Sequence, residues 1–171
     1  MTMVLLGLGS NLGDRAGHLG RAVAALGEAL AVTATSALYE SAPMYVTDQP
    51  AFLNLAVAAR TGLTPEALLA LLKGLETTLG RTPGRRFGPR VVDIDILLYG
   101  DVVLVGPELE IPHPRLAERA FVLRPLAEIA PDAVHPGLGR TVAALLAALP
   151  GDDGVVRLVP PLPAGWLGTD R

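Results

Sequence analysis

An α+β fold, with an antiparallel sheet carrying helices on one face, is what this 171-residue sequence predicts. Three observations lead there. Apolar runs of strand length alternate with two stretches in which leucines recur at helical spacing. The elements follow the order strand, helix, strand, strand, helix, strand, which is that of the ferredoxin-like split βαβ arrangement. Half of the residues are apolar and 18% are charged, and a chain of this size buries roughly two thirds of the surface its unfolded form exposes. One domain over residues 1–171 is therefore expected, with its core in about 1–130 and a tail over 150–171.

Each element has its own warrant. Met3 to Leu8 is a continuous apolar run that ends in Gly9-Ser10-Asn11, the pattern of a buried strand leaving into a polar turn. Asp14 is the N-cap of a helix to about Leu30, with Leu19, Val23, Leu26 and Leu30 as its apolar stripe. Val32 to Tyr39 reads as a strand, and Ser41 to Pro50, with two prolines, as a loop. Phe52 to Thr61 alternates as a returning strand. Thr64-Pro65 then supplies an N-cap and a first-turn proline for a helix with Leu68, Leu72, Leu75 and Leu79 on its core side. Gly80 stands where a helix end favours positive φ. Val91 to Tyr99 closes the core as a strand. Beyond it we expect short extended pieces at Val102–Leu104 and Phe121–Leu126, a proline-bounded turn at Ile111–Pro114, a helix over Thr141–Leu149 and an edge strand near Val155–Val159.

Composition removes several function classes. The chain has no cysteine, which excludes disulfides, thiolate metal sites and cysteine nucleophiles. No apolar stretch reaches the roughly 20 residues that span a bilayer, and the opening Met1–Leu8 run lacks the length and basic start of a signal peptide. A soluble, cytoplasmic protein with no membrane partner is expected. The net charge of −3 argues against nucleic acid as a partner, since such binding needs an excess of cations facing phosphates.

That average hides a local reversal. Arg81, Arg85, Arg86 and Arg90 fall within ten residues free of Asp and Glu, and Asp93 and Asp95 follow at once. Strand residues two apart share a face, so the two carboxylates converge. Hard oxygen ligands of this kind suit Mg²⁺ held together with a phosphate, and guanidinium groups suit phosphate oxygens. The alternative is a solvent-facing polar stripe with a surface ion-pair network. Glu76 lies in the last turn of its helix, where the dipole disfavours an anion, so a ribose or cation contact would explain it better than helix stability. Gly7-Leu8-Gly9-Ser10-Asn11-Leu12-Gly13 fits neither a Rossmann nor a P-loop signature, and its glycines read as a tight turn with close packing. His113 is bracketed by Pro112 and Pro114, in a restricted loop. Phe52 and Asn54 share a strand face, where the ring can stack on a flat heterocycle whose edge the amide reads.

Four segments together resemble the 6-hydroxymethyl-7,8-dihydropterin pyrophosphokinases of folate biosynthesis. They are Gly9–Gly13, Asp48–Asn54, Arg86–Asp95 and Ile111–Arg115. The resemblance runs from the first strand through about residue 130, and the tail after Leu149 lies outside it. It implies a ferredoxin-like core and transfer of pyrophosphate from ATP to the pterin hydroxymethyl oxygen, with release of AMP. It further implies that Asp93 and Asp95 bind two Mg²⁺ ions and that Arg81 and Arg90 stabilise the transferring group. Glu76, Arg86, His113 and Arg119 would be further ATP contacts. On the pterin side it implies Asn54 at the ring edge, Phe52 and Phe121 on the ring faces, and Ser41, Pro43, Met44 and Tyr45 along the loop. ATP and the pterin are the expected partners, and the expected assembly is a monomer. The 81–87 loop is shorter than in familiar members, and Phe87 stands where tryptophan is common. Two rival readings stay open on the residues alone: a noncatalytic effector-binding domain of the same shape, and a metal-dependent phosphodiesterase.

Overall fold

The computed structural model describes residues 1–41, 50–80, 91–151 and 154–158. In chain order the first apolar run forms β1 (Thr2–Ser10), and Asp14 turns the chain into α1 (Arg15–Ala29) by accepting a hydrogen bond from the Gly17 amide. Then come β2 (Ala31–Thr35), β3 (Tyr39–Ser41), β4 (Phe52–Thr61) and α2 (Pro65–Thr78). The predicted Thr64 cap bonds the Ala67 amide, and Gly80 has φ of 104°. Caps of this sort each contribute about 1 kcal/mol. β5 (Asp93–Tyr99), β6 (Leu104–Val105) and β7 (Glu110–Ile111) follow. The rest comprises α3 (Ala120–Ile129), β8 (Val134–His135), β9 (Arg140–Thr141), α4 (Val142–Ala147) and β10 (Val156–Arg157).

The main sheet runs β10-β3-β4-β1-β5, with β2 also on β4, and every pairing in it is antiparallel. With β2 and β3 counted as one interrupted strand, this is the ferredoxin-like order. The interruption departs from the single strand expected over Val32–Tyr39, and Ser36 explains it. Its hydroxyl accepts the Ala56 amide at 2.9 Å while its own amide bonds the Ala56 carbonyl at 2.9 Å. A side chain thus replaces one backbone partner, and the strand bulges there.

Two further expectations are corrected. Helices cover both faces of the sheet, not one. Leu6, Leu8, Leu55, Val57, Ile94 and Ile96 pack with Leu19, Leu26, Leu68 and Leu72 of α1 and α2. On the opposite face Leu5, Ala58, Leu97 and Leu98 pack with Leu123 and Leu126 of α3 and with Val142 and Leu145 of α4. The source of that second layer is the segment expected to be extended, Phe121–Leu126, which is helical. Pro125 removes one helical hydrogen bond. Burial of Leu123 and Leu126, each contributing about 1.5–3 kcal/mol, outweighs that loss. The expected helix near Thr141 and the edge strand near Val156 are present, the latter paired with β3. Among the described residues no helix is long and apolar enough to cross a membrane.

Candidate active site

Sheet register assembles the site. Tyr39, Asn54, Gly9 and Asp93 lie in one row across β3, β4, β1 and β5, and Ala56, Gly7 and Asp95 lie in the next. Residues opposite one another in antiparallel strands project to the same face. Asn54 on one side and the two aspartates on the other therefore flank a floor that carries no side chain, because its two centre positions are glycine. A Cβ at Gly9 would come within 3.2 Å of Asn54 Oδ1 and 3.5 Å of the Phe52 ring, and one at Gly7 within 3.2 Å of Leu97. In a strand interior, glycine is the residue that admits a close neighbour or ligand.

Asp95 is held in a setting that disfavours its charge. Desolvation, then Asp93, then Glu76 push its pKa up to about 7, against the opposing pull of Arg119 and Lys73. The side chain remains 45% accessible, so solvent screens part of this repulsion, and the direction is what bears on the site. A cation between two crowded carboxylates that face solvent would relieve their repulsion. Their donor set fits Mg²⁺, which takes one or two carboxylates and completes its shell with phosphate and water oxygens.

Glu76 sits behind this strand, only 2% exposed. Its Oε2 accepts the Ile94 amide at 2.8 Å, a charged hydrogen bond worth about 1.5–3 kcal/mol. An acid in the last turn of α2 thus has a physical reason that sequence did not reveal: it pins the backbone between the two aspartates.

The segment after β7 brings His113 to the pair. The His113 amide donates to the Leu97 carbonyl at 3.0 Å. Nδ1 accepts the Arg115 amide at 3.3 Å, which leaves the ring proton on Nε2, 4.0 Å from Asp95 Oδ2. Burial, followed by Arg119, lowers the His113 pKa, with Asp93 opposing. Arg119 lies over the Phe121 ring, its guanidinium carbon 5.5 Å from the centroid. On the other flank Asn54 Nδ2 donates to Ser41 Oγ at 2.8 Å. The structure thus brings Asp95, His113 and Arg119 into one group and Ser41, Phe52 and Asn54 into another. Arg81, Arg86, Arg90, Pro43, Met44 and Tyr45 lie outside the described residues.

A cavity of about 410 Å³ lies elsewhere, lined by Tyr39, Arg124, Ala127, Glu128, Leu146, Val155 and Arg157. It contains none of the expected site residues. Its Glu128 accepts the Tyr39 hydroxyl at 2.7 Å, the Ala37 amide at 3.0 Å and Arg157 Nε at 3.2 Å, an arrangement that joins β3, α3 and β10.

Sequence reasoning missed the register role of Gly7 and Gly9. Their spacing of two inside an apolar run was the available signal, and reading them as a turn concealed it.

The fold and site define a ferredoxin-like α+β domain whose open sheet face carries an acidic pair opposite a buried amide. The sequence model of the 7,8-dihydro-6-hydroxymethylpterin-pyrophosphokinase family matches residues 5–131. The chain belongs to that family. It is 50% identical over 151 residues to a 2-amino-4-hydroxy-6-hydroxymethyldihydropteridine pyrophosphokinase of Methylorubrum extorquens, covering 87% of this chain and 94% of that one. It is 40% identical over 159 residues to the folic acid synthesis protein FOL1 of Dictyostelium discoideum, covering 93% of this chain but 24% of that longer protein. Its fold is similar to a Plasmodium falciparum HPPK-DHPS crystal structure, with a TM-score of 0.71 and 18% identity over 85% of this chain and 45% of that one.

Proposed function

We propose that this chain is a single-domain, cytoplasmic, monomeric enzyme of folate biosynthesis that transfers pyrophosphate from ATP to 6-hydroxymethyl-7,8-dihydropterin. The hydroxymethyl oxygen attacks the β-phosphorus, the bond from that phosphorus to the α–β bridging oxygen breaks, and AMP leaves as the alcohol proton is released. The observation that carries this reading is the placement of Asp93 and Asp95 across the glycine floor from Asn54, on a chain of this family. A charged phosphate end and a flat polar end of two substrates fit opposite sides of that floor.

Asp93 and Asp95 would hold Mg²⁺, two ions in this reading, and bound metal would offset charge on the triphosphate. Glu76 keeps the intervening backbone fixed, so the carboxylates do not reorganise as phosphates arrive. Arg119, over the Phe121 ring, and the Nε2 proton of His113 supply donors for phosphate oxygens. Neutral His113 keeps that proton for donation. Asn54, held by Ser41, presents its Oδ1 to the pterin edge, with Phe52 and Phe121 for the ring faces. Arg81 and Arg90 remain assigned to the transferring group, Arg86 to ATP, and Pro43, Met44 and Tyr45 to the pterin loop. No step requires a dedicated general base if alignment and fixed charge supply most of the acceleration.

Product analysis tests the reaction. Incubation with ATP, Mg²⁺ and the pterin alcohol should give AMP and the pterin pyrophosphate in equal amounts. ADP as the nucleotide product, or none, would overturn it.

A further inference from the structure

Arg15 is in an electrostatically poor place. It is the first residue of α1, where the positive end of the helix dipole disfavours a cation, and the acid beside it, the Asp14 cap, is engaged with the Gly17 amide. The same guanidinium nitrogen, Nη1, reaches Glu40 Oε2 at 2.9 Å and the Ala51 carbonyl at 2.8 Å. The ion pair is partly exposed, at 29% for Arg15 and 41% for Glu40, and pairs of that kind add little to stability. Neither helix nor ion-pair energetics accounts for the residue.

Its partners do. Glu40 precedes Ser41, which bonds Asn54, and Ala51 precedes Phe52, which pairs in register with Ser41. From the same β1–α1 corner, Asn11 Nδ2 donates to the Pro50 carbonyl at 3.1 Å. Gly13, with φ of 67°, makes the turn that aims Arg15 back across the sheet end. Two groups from one corner thus grip the backbone just before Phe52, and one of them also grips β3 just before Ser41.

We infer that Arg15 is a positioning residue for the pterin half of the site: it staples the end of β3 to the start of β4 and so fixes Ser41, Phe52 and Asn54 together. The inference rests on the pterin-binding reading above. Arg15 touches neither the acidic pair nor the Arg119 side, so its effect is confined to one substrate. A residue that only stabilised the fold would weaken both.

Calorimetry on the full chain separates these cases, with 6-hydroxymethylpterin titrated onto protein saturated with Mg²⁺ and a nonhydrolysable ATP analogue, and the analogue titrated alone. Arg15→Met should weaken pterin binding about tenfold and leave analogue affinity within twofold. In turnover, the pterin KM should rise while kcat at saturating pterin stays near wild type. Arg15→Lys, which keeps charge and reach, should recover part of the loss. If Arg15→Met does not fold, Arg15→Gln, which still donates to Ala51 but loses the Glu40 ion pair, should show the same split at smaller size. Unchanged pterin affinity, or equal weakening of both ligands, would overturn the inference. Unchanged pterin affinity in the variant while the wild type releases AMP sinks the staple alone. A wild type that binds the pterin but releases no AMP sinks the reaction and leaves the staple standing.

Discussion

One face of the main sheet does two different jobs along its length. At one end Leu5, Ala58, Leu97 and Leu98 lie sealed beneath α3 and α4. At the other, the same face presents Gly7, Gly9, Asn54, Asp93 and Asp95. β5 shows the change within one strand: Asp93 and Asp95 are partly exposed, and Leu97 is 1% exposed. A register shift against β1 between Leu5 and Leu6 marks the border and lets Leu97 and Leu98 both enter the second core. The difference teaches that the site is the part of a two-sided core left uncovered, with glycine where core leucine would otherwise stand.

Substitutions in the two halves should therefore fail in opposite ways. The largest effect is expected at Asp95. Asp95→Asn should lower AMP formation by a thousandfold or more, about 4 kcal/mol of barrier, while the melting temperature of the metal-free protein rises because a crowded charge is gone. Equal turnover, or a lower melting temperature, would erase the contrast. Next comes Leu97→Ala in the sealed half, which should cost about 2–5 kcal/mol in urea unfolding and leave the kcat of the folded fraction close to wild type.

Gly9→Ala tests the bare floor between them. Its new methyl group meets the Asn54 and Phe52 side chains, so pterin affinity should fall about tenfold, or about 1.4 kcal/mol, with ATP affinity unchanged. Nucleotide and pterin titrations read both quantities.

An effect that depends on pH lies at Tyr39, in the row shared with Asn54, Gly9 and Asp93. Burial first, then its hydrogen bond to Glu128, raises the phenol from 10.0 to about 12. An acid whose folded pKa exceeds its unfolded one stabilises the fold fully below the unfolded value and loses that contribution as pH rises through the folded value. Tyr39→Phe should therefore cost about 1.5 kcal/mol in denaturant unfolding at pH 9, and the gap should close between about pH 10 and 12. A gap that persists across that range would contradict the assignment.

Much of this was legible in the residues. Asp14 and Thr64 announced their helices, Phe52–Thr61 matched β4 at both ends, and the spacing of Asp93 and Asp95 put both acids on one face. What local pattern could not give was long-range. Phe121–Leu126 read as extended because the reward for helix there comes from burying Leu123 and Leu126 against a distant sheet. Glu76 has a partner, the Ile94 amide, that lies on another element and leaves no trace in the local pattern. Arg15 and Gly9 act through β4, a strand that enters the chain many residues later.

Titration of a nonhydrolysable ATP analogue, with and without Mg²⁺, onto wild type and Asp95→Asn tests the central claim most directly. The account predicts that Mg²⁺ tightens binding to the wild type and that the substitution abolishes this gain. Equal affinity with and without the metal in the wild type would contradict it.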